Sequence, residues 1–400
     1  MQLNHFFNYT TMKTKIYSIC KRVIPVALCI FLLSVSVTQA QEKVELSSAE
    51  KIVLPSTVLN EDRTITIYLP KDYQTSKLSY PVLYLLDGPT HLYHASAAMN
   101  FLAGQLSIPG LIIVSIHNID RNRDFSPVHT DQVATSGGAE KFLTFLSDEL
   151  TGYMKEHYRI SDFSILLGHS FGGTFIGYTL AEKPELFDGY IAVSPYMQYA
   201  DNYVIGLTKE KLSDRFDSHK YLYMTVGNEP NYFDPLDEYT SVLKEKMNGT
   251  LDFKYVKMED ENHASNPYIS LFNGLRFIFS DWPLPREEFI KGLEVVDTHY
   301  KKISDKYGLE VQAPENLINN LGYYYLQNNN FDTAIIVFKT NIERYPESAN
   351  VYDSLGEAYE KNNQPELAKQ NYTIAVEHGE KLNDPNLPIY KKNLQRVMDL

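Results

Sequence analysis

The sequence predicts an α/β protein, a mostly parallel sheet covered by helices on both faces, followed by a small all-α tail. Three observations predict it. Short continuous apolar runs alternate with segments of helical period between residues 81 and 281, the pattern of buried strands joined by crossover helices. One run, Ile165-Leu166-Leu167, meets Gly168-His169-Ser170-Phe171-Gly172 and then a helical stretch from Thr174 to Leu180, which is strand, tight turn and helix in succession. Beyond residue 315 the chain repeats itself at an offset of 34 residues.

Four hundred residues exceed one average domain and imply two or three. The first forty hold Lys13, Lys15, Lys21 and Arg22, no acidic residue, then the apolar run Val23 to Val37 and the small residue Ala40. This reads as a secretory signal peptide over residues 1–40, with Met12 as an alternative start. About fifteen apolar residues fall short of the roughly twenty that a spanning helix needs. Export to the periplasm or outside the cell is expected, with no membrane span after cleavage. Both cysteines, Cys20 and Cys29, fall in that segment, so the exported chain would carry no thiol, disulfide or cysteine-ligated metal. Cleavage removes four basic and no acidic residues, which leaves 33 basic against 50 acidic and a formal charge of −17. Such a surface repels nucleic acid and anionic lipid and suits neutral or cationic partners.

Lys51 to Thr57 and Arg63 to Leu69 alternate enough to be strands, the second ended by Pro70 and the turn residues Lys71-Asp72. Pro81 opens Val82 to Leu86, a run suited to a strand buried on both faces, which stops at Asp87-Gly88-Pro89. Leu111 to Ile116 is a second such strand, and the polar loop after it, Asn118 to Gly138, is long enough to be functional. Ala139 to His157 carries Phe142, Phe145, Leu146, Leu150 and Met154 at helical steps. After the Ser170 turn come strands at Gly189 to Val193, Tyr221 to Val226 and Leu251 to Met258, with helices at Leu236 to Met247 and Ile269 to Phe279. Ligands on such sheets bind outside the carboxyl ends of the strands.

Trp282-Pro283-Leu284-Pro285 breaks this pattern, and Glu287 to Tyr307 reads as a single helix. In the tail Leu321-Gly322 matches Leu355-Gly356, Tyr325 matches Tyr359, Ala334 matches Ala368 and Phe338 matches Tyr372. The period and residue types are those of a pair of tetratricopeptide repeats, in which small residues let two helices cross closely while aromatic rings fill between them. Two repeats fall below the roughly three that stand alone, so the tail is expected to lean on the rest of the chain. The expected division is a signal peptide over 1–40, an α/β domain over 41–285, a connecting helix over 286–314 and repeats with a closing helix, Leu387 to Met398, over 315–400.

The Gly-x-Ser-x-Gly spacing has a mechanical reason. A serine on a strained turn leaves no room for side chains two residues to either side, and Gly168 and Gly172 supply that room. Ser170 is therefore the candidate nucleophile, held over the carboxyl end of the sheet with the N–H groups of the following helix beside it. A serine hydroxyl needs a base and a group that orients the base, and on this kind of sheet the chain order is Ser, acid, His. Of the histidines after Ser170, His299 and His378 lie in tail-side helical segments and His219 precedes its strand. His263 follows the strand Leu251 to Met258 and is the candidate base. His169, adjacent to Ser170, is assigned a structural role. Glu229 directly follows the strand Tyr221 to Val226 and is the preferred acid, with Asp234 the alternative.

From about residue 50 to 281 the chain resembles the esterase family of α/β-hydrolases that includes esterase D, enterochelin esterases and feruloyl or acetyl-xylan esterases. The resemblance runs through Val58 to Thr64, Tyr84-Leu85-Leu86-Asp87-Gly88, Asp120-Arg121-Asn122-Arg123-Asp124, Gly168 to Gly173, Ser194-Pro195, and His263 with Gly274-Leu275-Arg276-Phe277. It implies the α/β-hydrolase fold, a Ser-His-acid site, and an oxyanion hole made by the Phe171 N–H and an N–H from the loop after Leu86. Some relatives use the residue after the loop glycine, which here is Pro89 and has no N–H. Gly88, or else Thr90, has to donate instead. The resemblance also allows a Ser-His pair without an acid, as in enterochelin-esterase-like members.

The expected function is an exported serine ester hydrolase that works through an acyl-enzyme without metal or organic cofactor. Its substrate would be a small-molecule or glycan-linked ester, with siderophore, feruloyl, acetyl-sugar and thioester compounds left open. Two rivals use the same chain: an acyltransferase, and a silent hydrolase body whose tail binds a protein partner or a second copy.

Overall fold

The computed structural model describes residues 49–212, 216–246 and 249–399. The expected signal peptide, with both cysteines, and Met247 lie outside the described residues. In chain order the body comprises β1 (Ala49–Ser56), β2 (Glu61–Tyr68), β3 (Tyr80–Leu85), α1 (Gly88–Gly104), β4 (Ile112–Ile116), α2 (Arg121–Phe125), α3 (Ala139–Thr144), α4 (Thr151–His157), β5 (Ile160–His169), α5 (Phe171–Glu182), β6 (Gly189–Val193), α6 (Tyr203–Lys211), β7 (Lys220–Val226), α7 (Pro230–Lys246), β8 (Leu251–Lys257) and α8 (Asn266–Ile278). The eight strands form one sheet in the order β1-β2-β4-β3-β5-β6-β7-β8. β1 and β2 pair antiparallel and β2 meets β4 antiparallel, whereas β3 to β8 all run parallel.

Strands β3, β4, β6 and β7 are buried along their whole length, which is why they read as unbroken apolar runs. The period-two rule then divides their side chains between two cores. Val82, Tyr84 and Leu86 enter one apolar layer and Leu83 and Leu85 the other. β8 lies at the sheet margin and alternates between half-buried and exposed positions.

The helix expected from Ala139 to His157 is interrupted by a π turn, Phe145–Leu150, between α3 and α4. Phe145, Leu146 and Leu150 stay buried while Glu149 reaches the turn between β1 and β2. Its carboxylate accepts from the Ser56 hydroxyl, the Thr57 N–H at 2.8 Å and the Val58 N–H at 3.1 Å. Periodicity of the apolar residues survives such a widened turn, which is why the sequence reads through it. Helix α7 begins at Pro230, earlier than the expected Leu236, and carries Pro235 inside it, where the ring has no N–H to give the Asn231 carbonyl.

Seven helices follow: α9 (Arg286–Phe289), α10 (Leu293–Tyr307), α11 (Glu315–Gln327), α12 (Phe331–Arg344), α13 (Ala349–Lys361), α14 (Pro365–Leu382) and α15 (Leu387–Met398). The single helix expected over 287–307 is broken at Gly292, whose φ of 123° ordinary side chains rarely adopt. Tyr325 of α11 fills the break, donating its hydroxyl to the Ile290 carbonyl at 3.4 Å. Positions 34 residues apart make the same contact: a Cβ at Gly322 would come within 2.4 Å of the Phe338 ring, and one at Gly356 within 2.7 Å of the Tyr372 ring. Both glycines are therefore required by helix crossing.

The tail and body share an apolar layer. Phe163, Tyr221, Phe279 and Trp282 pack with Val296, Tyr300, Ile303 and Tyr307 of α10, and the same cluster extends to Ile318 and Leu321 of α11. Tyr307 stands edge-on to Phe163 at 5.2 Å and donates its hydroxyl to the Ile278 carbonyl at 3.0 Å. Among the described residues no helix is long and apolar enough to cross a membrane.

Candidate active site

Each of the six parallel strands delivers one loop to the same edge of the sheet. The loop after β3 brings Asp87 and Gly88, and that after β4 brings Asn118 and Arg121. From β5, β6, β7 and β8 come Ser170, Ser194, Glu229 and His263.

Ser170 sits between β5 and α5 at φ 57° and ψ −115°, a conformation that side chains other than glycine adopt only under strain. Its N–H donates to the Val193 carbonyl at 2.8 Å and its carbonyl accepts from Thr174 N–H at 3.1 Å, so the turn is tied on both sides. A Cβ at Gly168 would lie 2.3 Å from the Gly172 carbonyl oxygen, and the glycine there is obligatory. Gly172 differs from expectation: its Cβ would meet Leu86 at an ordinary 3.5 Å. The tight position is the next one, where a Gly173 Cβ would approach the Pro195 backbone to 2.9 Å.

Glu229 Oε2 lies 2.5 Å from His263 Nδ1. Its other oxygen, Oε1, accepts from the Ser194 hydroxyl at 2.6 Å and the Gly227 N–H at 3.1 Å. Behind it runs a buried chain: Asn266 Nδ2 donates to Ser194 Oγ at 2.9 Å, Ser270 donates to Asn266 Oδ1 at 2.5 Å, and Thr225 meets Ser270 at 2.7 Å. A carboxylate so held directs the Nδ1 proton of His263 toward itself and leaves Nε2 free to accept. The β7 and β8 loops must touch for this to happen. Asn228 N–H donates to the Glu261 carbonyl at 2.6 Å, and a Cβ at Gly227 would come within 2.8 Å of that oxygen. Asp234, the alternative acid, lies on α7 and makes no hydrogen bond to His263.

His169, given a structural role from sequence, packs its ring 4.4 Å from that of His263. His91 of α1 stands edge-on to His169 at 5.9 Å, and His94 stands edge-on to His91 at 5.1 Å. Burial, reinforced by His263 and His91, pushes the His169 pKa down to about 4. Burial, with His94 beside it, does the same for His91, also to about 4, and burial lowers His94. The rings beside the candidate base are therefore neutral at pH 7. Sequence reasoning missed His91 and His94. Their spacing of three on a helix that starts at the site is the signal that could have found them.

Phe171 and Gly88 are the first residues of α5 and α1, where a helix has no internal acceptor for its N–H groups. Neither N–H has a partner among the described residues, whereas Thr90 N–H donates to the Asp87 carbonyl at 3.0 Å and is already engaged. Gly88 must be glycine, since its Cβ would lie 2.3 Å from Ser115 Oγ. Phe171, Tyr196 and Tyr199 form one aromatic wall, with ring centroids 4.9 to 5.8 Å apart, and Tyr232 adds a ring 5.7 Å from His263.

The polar loop after β4 is anchored by charge. Arg63, fully buried, pairs with Asp124 at 2.5 Å and Glu61 at 2.6 Å, and Arg123 pairs with Glu61 at 2.6 Å. The hydrogen bond from Arg123, opposed by burial and helped by the charge of Arg63, holds the Glu61 pKa below its ordinary value. The blocks Val58 to Thr64 and Asp120 to Asp124, far apart in sequence, are two halves of one ion network.

Residues 56–250 match the family described as "Putative esterase". The chain is 28% identical over 176 residues to the ferri-bacillibactin esterase BesA of Bacillus subtilis, covering 38% of this chain and 61% of that protein, less than two thirds of its length. It is 26% identical over 251 residues to the siderophore triacetylfusarinine C esterase of Aspergillus fumigatus, covering 53% of this chain and 86% of that protein. Among solved structures, the IroE-like serine hydrolase of Shewanella oneidensis superposes with a TM-score of 0.65 at 26% identity, covering 74% of this chain and all of that one.

Proposed function

Residues 56–250 belong to the esterase family, and from that premise we propose that the protein is an exported serine hydrolase that cleaves the ester linkages of siderophore-like compounds through an acyl-enzyme. The observation that carries the reading is the Glu229 carboxylate 2.5 Å from His263 Nδ1, at the sheet edge where the strained Ser170 turn projects. His263 Nε2 takes the Ser170 proton as Oγ attacks the ester carbonyl, and Glu229 stabilises the imidazolium that forms. The new C–O bond leaves the negative charge on the former carbonyl oxygen, where the Phe171 and Gly88 N–H groups receive it. His263 returns the proton to the departing alcohol. Water then repeats the sequence on the acyl-enzyme and frees the acid. The substrate class follows from the relatives whose names give siderophores as their substrates. The same reading takes the signal segment as the route of export and residues 315–400 as tetratricopeptide-like.

The test is cleavage of a siderophore trilactone, loaded and unloaded with iron, by the mature protein, beside an aryl acetate. Wild-type protein should cleave and should take up an aryl phosphonate at one serine, and Ser170→Ala should lose both with its circular dichroism unchanged. Labelling of another serine at the wild-type rate in that variant would move the nucleophile elsewhere.

A further inference from the structure

The two N–H groups that face a developing oxyanion lie on different loops. Gly88 follows β3 and Phe171 follows β5, so the shape of the hole is the distance between two separate turns. Both turns are under conformational stress, since Asp87, just before Gly88, has φ 52° and Ser170, just before Phe171, has φ 57°. Something must hold them in register to within a fraction of an ångström, because a donor that misses the oxyanion contributes little.

Arg121 does so. Its Nε donates to Asp87 Oδ1 at 2.7 Å and its Nη2 to Asp87 Oδ2 at 3.0 Å, a two-point grip on the first turn. The same Nη2 donates to the His169 carbonyl at 3.0 Å, one residue before Ser170 on the second turn. Asn118 adds a bond to Asp87 Oδ1. The grip is itself fixed from behind: the guanidinium lies 5.3 Å from the Phe125 ring, Asp120 caps α2 by accepting from Arg123 N–H at 3.0 Å, and Arg123 and Asp124 are locked to Glu61 and Arg63. A planar fork suits three acceptors spread over two loops, and a lysine ammonium does not.

We propose that Arg121 is the positioning residue of the oxyanion hole, joining the Asp87-Gly88 turn to the His169-Ser170-Phe171 turn and so setting the spacing of the two donor N–H groups. This rests on the esterase reading. Arg121 touches no reacting atom. Its charge is met by the Asp87 carboxylate, and its contribution is spacing.

The experiment compares wild type, Arg121→Lys and Arg121→Ala with an aryl acetate and with a boronic acid that mimics the tetrahedral intermediate. Displacing a donor from an oxyanion hole typically costs about 100- to 1000-fold in kcat, so Arg121→Ala should lose about 100-fold in kcat with KM changed less than about threefold. Boronate affinity should fall in step with kcat, the midpoint of the pH profile should stay put, and added guanidinium should restore part of the rate. Arg121→Lys keeps the charge and should fold as wild type, yet should still lose about tenfold or more in kcat. Wild-type kcat in Arg121→Lys overturns the inference. So does a loss confined to KM, which would make Arg121 a substrate ligand, or a shifted pH midpoint, which would place its effect on His263. A wild-type protein that neither cleaves esters nor takes the phosphonate overturns the esterase reading and this inference together, whereas an active wild type with an unaffected Arg121→Lys overturns this inference alone.

Discussion

Glu229 and Asp234 are five residues apart, and only one is placed to act on His263. Glu229 has both carboxylate oxygens engaged, one by His263 and the other by Ser194 and Gly227. Asp234 rides on α7. Glu229→Gln is therefore expected to lower kcat by about 100-fold or more, since an amide cannot stabilise the imidazolium. Asp234→Asn should stay within about threefold of wild type, as substitutions outside the site do. Kinetics of both variants on an aryl acetate decide it, and the reverse order transfers the role to Asp234. At this scale the meeting of Glu229 with His263 was legible: chain order and the ends of apolar runs put both forward, with Ser170, as candidates. Ser194, Asn266 and Arg121 were not assigned roles, because a hydrogen bond between side chains on different loops leaves no periodicity in a sequence. The second glycine requirement was misplaced by one residue for a similar reason. Gly173 is constrained by Pro195, which lies more than twenty residues along the chain.

Helix α1 does more than cover the sheet. It starts at Gly88 and carries His91 and His94 down the same side, against His169. Both His91 and His169 titrate near pH 4 in the folded chain, against an ordinary value near 6.5. Unfolded chains therefore bind more protons between pH 6.5 and 4. The stability that these neutral rings contribute is present above pH 6.5 and is lost as pH drops toward 4, on the order of 3 kcal/mol for one such histidine. His91→Gln removes one of these titrations, so its Tm should fall less between pH 7 and pH 4 than that of wild type. Parallel Tm curves for the two proteins would refute the assignment. Elements of this kind were readable wherever apolar spacing was regular. The π turn at Phe145–Leu150 and the break at Gly292 were not, since both keep apolar residues on the buried side while changing the path of the backbone.

For the whole molecule, the tail completes an apolar layer that the sheet begins. Tyr307 is almost wholly buried among Phe163, Phe279 and Trp282, and removal of α9 to α15 would leave those rings facing water. A chain ending at Pro285 is expected to be aggregation-prone, or less stable than the chain that keeps its tail by several kcal/mol in urea unfolding. Tyr307→Ala in the full chain, a milder lesion, should cost about 3–5 kcal/mol, as large-to-alanine changes in cores do. A truncated protein as soluble and as stable as the full one would sink this packing role and return the tail to the partner-binding reading. The 34-residue repeat was legible because its contacts are local, each glycine meeting a ring sixteen residues on. Docking of the tail on Phe163 and Tyr221 was not, because the apolar residues of α10 look like those of any amphipathic helix.

The placement of six loops on six strands also bears on how the proposed activity would be lost. Ser170, the proposed nucleophile, follows the interior strand β5, whereas His263, the proposed base, follows β8, which pairs only with β7 among the described residues. Segments with few buried apolar contacts open at lower free energy than the core, and β8 has no fully buried position. If His263 is the base and Ser170 the nucleophile, as proposed, an opening of β8 would take the base away and leave the serine in place. On the proposed assignment, activity would depend on the seam between β7 and β8, and a lesion confined to that seam would silence the site while the rest of the sheet stays paired.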